Sequence, residues 1–174
     1  MKASMTVEQE HTDSRLQVQL LLNALKRAWR DSRWHALKRA IKGLTHEEAS
    51  WRPPAYKGFA WSSGSIMDIL FHVGGDCLIQ IDYAFHDGQL TWEELQRRFK
   101  DAGGNLDAAL KLLEEGYQAV HDALSSLTDA DLDRECTAYS GTMRLRDLFL
   151  MLIEHIIYHA GQIVYIRCMQ CSAS

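Results

Sequence analysis

The chain has 174 residues, of which 47% are apolar and 24% charged, and a net charge of −4. That length fits one domain with its own hydrophobic core. The acidic balance, with no Lys/Arg run of five or more, speaks against a nucleic-acid or membrane-surface partner, and no stretch approaches the ~18 uncharged apolar residues of a membrane span.

The opening "MKASMTVEQEHTDSR" is polar and has no apolar segment of the signal-peptide kind, which predicts a disordered tail over residues 1–13 and a cytoplasmic protein. Asp13 or Ser14 is placed to cap a long helix running to about residue 42. Leu16, Leu20, Leu21, Leu25, Ala28, Leu37 and Ile41 supply its apolar face, and Gly43 ends it. "THEE" (45–48) is a capping-box pattern that predicts a short helical turn. The loop "SWRPPAYKGFAWSSG" (50–64) is stiffened by Pro53-Pro54 and carries Trp51, Tyr56, Phe59 and Trp61. Such aromatics either close one end of a bundle or wall a pocket.

A second long helix is predicted over 65–86, a short one over 91–102 with Thr91 and Glu94 as its capping box, and a third long one over 105–127. Residues 126–142 read as a polar connection with one turn of helix, and a final helix covers 144–169. Four long helices and no convincing strand predict an all-α four-helix bundle with short extra helices in its connections, a single domain over 14–170. The cysteines at 77, 136, 168 and 171 read as free thiols. The lone C-x-x-C of Cys168 and Cys171 lacks the second pair of a zinc ribbon and the βαβ context of a redox motif.

In "EHIIYHAGQIVYIR" (154–167), Leu148, Leu152, His155, His159, Gln162 and Ile166 advance by four and three along one face. Phe149, Ile156 and Ile163 flank that face, so it points inward. Two imidazoles and an amide then stand where leucine would be usual. Side chains four apart on a helix can converge on one ion, although core histidines are also satisfied by carbonyls or carboxylates. On the second helix, Ser65, Ile69, His72, Asp76, Ile79 and Tyr83 form a similar stripe. Beside it, Gly74-Gly75 costs helix stability and so implies close backbone approach or room for something bound. Asp76 is placed to orient a histidine or to ligate directly. His11, His35, His46, His86 and His121 are expected to face solvent.

"GLTHEEASWRPPAYKGFAWSSGSIMDILFHV" (43–73) and "EHIIYHAGQIVYIR" together resemble the DinB-like four-helix bundle metalloproteins. The resemblance implies an up-down-down-up bundle, dimeric in many members, with one divalent metal on His72, His155 and His159. H-E-x-x-H is absent, since Ile156 holds the glutamate position, so no metalloprotease base is present. Three imidazoles favour zinc or nickel over magnesium or calcium, and three protein ligands leave positions open for chemistry.

A metal so held can activate a small-molecule thiol, or water, for attack on an electrophile, and the resemblance implies the thiol form. The partners implied are a thiol, an electrophilic substrate and a second copy of the chain. Asp76 and Gln162 are candidates to orient a ligand. The alternatives are a non-catalytic, dimerising metal-binding bundle linked to stress, and a metal-dependent hydrolase. Histidine ligation predicts loss of metal as the pH falls through ~6.

Overall fold

In the computed structural model, described over residues 14–172 apart from 55 and 61, the chain is built on four principal helices. These are α1 (Leu16–Lys26), α4 (Ile66–Phe85), α6 (Leu106–Ser125) and α7 (Leu145–Ser172). Short helices α2 (Leu37–Ala40), α3 (His46–Ser50) and α5 (Trp92–Asp101) occupy the connections. The expected tail over 1–13 lies outside the described residues.

The cross-helix contacts give the topology. Arg15 donates to the Ser125 carbonyl, and Trp29 stacks on Tyr117 at 4.3 Å, so α1 runs against α6. Gly74 meets Leu113 while Cys77 meets Gly116, so α4 and α6 run side by side in the same direction. His72 pairs with His155 and Phe85 with Phe149, so α7 runs against α4. The order is up-down-down-up, with α5 in the crossover between the two parallel middle helices.

The closest seam lies between α4 and α6. A Cβ on Gly74 would come within 2.7 Å of the Leu112 carbonyl oxygen and the Leu113 backbone, and one on Gly116 within 2.5 Å of the Gly74 carbonyl oxygen. The glycines are therefore needed for close backbone approach, which offsets the roughly 1 kcal/mol each costs in a helix. Gly75 faces the Trp92 ring, and the helix runs unbroken through the pair. Ser65, Thr91 and Asn105 cap α4, α5 and α6 with their side chains.

Two features depart from the sequence-based expectation. The first helix does not run to residue 42. It passes into a π turn over Arg27–Asp31 and stops at an extended Ser32, whose hydroxyl accepts from the amides of Trp34 and His35. Stacking buries Trp29 against Tyr117, and the serine offers the backbone a competing bond. The cap is tertiary: Asp129 accepts from the amides of Gln17 and Val18. The buried face is Val18, Leu22, Leu25, Ala28 and Trp29, while Leu16 and Leu20 are exposed.

The second departure is a hairpin, β1 (Glu135–Ala138) with β2 (Gly141–Arg144), inside the connection read as polar. Its inward residues are Cys136 and Ala138, an alternation of only four residues; it turns through Tyr139 and Ser140, and β2 opens on Gly141 with φ of 130°. A single turn of 3-10 helix, Asp131–Asp133, precedes it, in line with the expectation. By length and composition α7 is apolar enough to cross a membrane. Leu148, Phe149, Leu152, Ile156, Ile163 and Ile166 on it are buried in the bundle.

Candidate metal centre

The inward stripe of α7 falls where the periodicity puts it. Leu148 and Leu152 are buried, His159 is 2% exposed, and His155 and Gln162 are half-buried. Across the seam, α4 brings His72 to the same point. His155 Nε2 lies 3.1 Å from His72 Nε2 and 2.8 Å from His159 Nε2, and one ring nitrogen of each of the three lies within 4.8 Å of the others.

The far side of each α7 imidazole faces an acceptor. Gln162 Oε1 is 2.7 Å from His159 Nδ1, and an Asp76 oxygen is 3.3 Å from His155 Nδ1. The Asp76 contact is outside hydrogen-bond geometry, and His155 Nδ1 makes no hydrogen bond among the described residues. Behind it Asp76 accepts from Gln80, whose carbonyl oxygen accepts the Tyr139 amide of the hairpin. With its Nδ1–H directed at Gln162, His159 turns a bare Nε2 lone pair toward His155 Nε2.

The donor set fits a divalent ion. Tetrahedral ligation at zinc's ~2.0–2.1 Å spaces nitrogens by about 3.3 Å, close to the 3.1 and 2.8 Å that separate His155 Nε2 from the other two rings. Burial, reinforced by the neighbouring imidazoles, pushes His72 down to about 3. Burial alone brings His155 to about 4, and burial plus the charge of His155 brings His159 to about 4. All three are thus neutral ligands at physiological pH. Burial also raises Asp76, which the Gln80 hydrogen bond partly opposes.

Trp92 of α5 stacks on His72 at 5.5 Å with the rings 14° apart. Gln162 Nε2 also donates to the Tyr158 hydroxyl, and the Tyr158 ring sits edge-on to His159. Neither Trp92 nor Tyr158 was picked out from sequence. Tyr158 is legible as the i−4 neighbour of Gln162, whereas Trp92 reaches the site only through the crossover. Gln80 has a sequence signal too, at i+4 from Asp76.

Of the remaining histidines, His35, His46 and His86 are exposed as expected. His121 is half-buried against Tyr117 and Asp122, which corrects the solvent-facing reading. His11 lies outside the described residues. Cys77 and Cys136 are buried thiols, and burial raises both. Cys168 is exposed.

Fold and site together define a helical-bundle protein with a three-histidine centre able to hold a metal ion. The chain belongs to the DinB superfamily, whose family model matches residues 30–163. A comparison with curated proteins finds no match.

Proposed function

We propose that the chain is a metal-dependent thiol transferase in which His72, His155 and His159 hold one divalent ion, zinc or nickel. The observation that carries this reading is the convergence of three neutral imidazoles, one ring nitrogen of each within 4.8 Å of the others. A divalent ion at that point would lower the pKa of a coordinated thiol or water toward neutrality.

The chain's own residues do the rest. Gln162 fixes the tautomer of His159, Asp76 stands behind His155, and Gln80 holds Asp76. Trp92 covers one face of His72. The thiol reading is favoured over hydrolysis by where the carboxylates sit. Asp76 lies behind His155 on the Nδ1 side, and Glu154 is exposed, so neither is placed as a general base for water.

We also assign a homodimer to the face of α7 that leaves Leu150, Ile157 and Val164 exposed at heptad spacing, and a cytoplasmic location. Sedimentation of wild type and Ile157→Glu tests the dimer: the variant should be monomeric.

The test of function is metal analysis of chelator-free protein, followed by spectra of a cobalt-substituted sample with cysteine or mercaptoethanol. About one metal per chain and a new sulfur-to-cobalt charge-transfer band are expected. Metal without any thiol-dependent change overturns the transferase and leaves a binding module, and a metal content near zero overturns both.

A further inference from the structure

Near the centre a cavity of about 570 Å³ lies between the 53–64 loop and α7. Its walls include Tyr56 and Phe59 from the loop and Tyr158, Gly161, Gln162 and Tyr165 from α7. No imidazole lines it. It reaches the histidines through Gln162, whose amide holds His159 Nδ1 at one end and the Tyr158 hydroxyl at the other.

Two observations say what such a cavity takes. Among the described residues that line it, none is Asp, Glu, Lys or Arg. An anionic ligand would leave water for the negative faces of aromatic rings with no counter-ion, which is strongly unfavourable. The volume falls in the range that encloses small organic molecules.

The second observation is Gly161. It lies inside α7, where glycine costs about 1 kcal/mol relative to alanine. Gly74 and Gly116 earn that cost through backbone contact, but a Cβ on Gly161 would meet nothing within 4 Å. The folded chain gains no packing from this glycine. What it provides is open space at the cavity wall, one turn from the Tyr158 and Tyr165 rings.

We propose that this cavity binds an aromatic molecule that carries no negative charge, stacked among Tyr56, Phe59, Tyr158 and Tyr165 with Gly161 as its floor. As the seat of the electrophile it rests on the thiol-transfer reading, but as a binding site it stands without it. Gln162 then contacts both the occupant and His159, so the site lies directly beside the centre.

The test is fluorescence titration of the full-length, metal-loaded protein with N-phenylnaphthylamine, an uncharged probe, and with its sulfonated relative anilinonaphthalene sulfonate. Saturable binding of the uncharged probe is expected, with the sulfonate at least tenfold weaker. Gly161→Leu should weaken the uncharged probe at least tenfold while metal content and melting temperature hold. Should that variant misfold, Tyr165→Ala, at an exposed position, serves in its place with the same expected loss.

Equal affinity for the two probes, or unchanged binding in the variant, overturns the proposal. So does failure of wild type to bind while Ile157→Glu, as a monomer, does bind, which would make a second copy the occupant. None of these readouts involves a thiol. Loss of the thiol-dependent cobalt band with probe binding intact therefore condemns the transferase alone, and the reverse pattern condemns the cavity alone.

Discussion

Asp76 and His155 face each other across the α4–α7 seam, a carboxylate oxygen 3.3 Å from the ring nitrogen opposite the converging one. A negative charge at that position favours a proton on Nδ1 and raises the basicity of Nε2. Asp76→Asn keeps the shape and removes the charge, so metal affinity should fall by about 10- to 100-fold with the fold intact. Competition against a chromophoric chelator measures it.

His159→Ala removes the deepest of the three donors. Its metal content should drop to near zero after brief dialysis, while the helical circular dichroism stays at the wild-type level. The bundle is held by Phe149, Leu152, Ile156 and Ile163 on the same helix rather than by the imidazole.

Acid should act on the metal-free protein in a defined window. An unfolded imidazole takes its proton near pH 6.5, whereas burial delays this to about 3 for His72 and about 4 for His155 and His159. Between those limits the unfolded chain binds more protons than the folded one. Stability is therefore full above pH 6.5 and falls as the pH drops toward 4, by on the order of 3 kcal/mol per imidazole. Denaturant melts of chelated protein at pH 7 and 4.5 check this. Burial equally keeps the donors neutral at pH 5, below the window the reference pKa implies, so the loaded protein should retain metal there.

Two glycine substitutions should have opposite signs. Gly74→Ala forces a methyl group to within 2.7 Å of the Leu112 carbonyl oxygen and should destabilise the bundle by about 1–3 kcal/mol. Gly161→Ala meets open space and should stabilise it by up to ~1 kcal/mol. Urea midpoints of the two variants give the comparison.

The site was legible because its residues repeat with the helix period. His155, His159 and Gln162 share one stripe of α7, and His72 and Asp76 share one on α4. The backbone approach implied by Gly74 is also present. The first helix was misread because its apolar residues fit two faces. Which face is buried was decided by Trp29 stacking on Tyr117, a contact between segments distant in sequence. The hairpin escaped notice because four-residue strands carry too little alternation to stand out from a polar connection. Trp92 escaped because nothing within α5 records that the crossover lays it over His72.

The donors that converge are 83 residues apart in the chain, His72 on one helix and His155 on another. A single ion there would act as a clip closing a long loop, and the entropy withheld from the unfolded ensemble by such a clip rises with the logarithm of the enclosed length. Ligand binding and fold stability would then be one linked equilibrium, and stripping the ion would loosen the α4–α7 seam before any other part of the bundle.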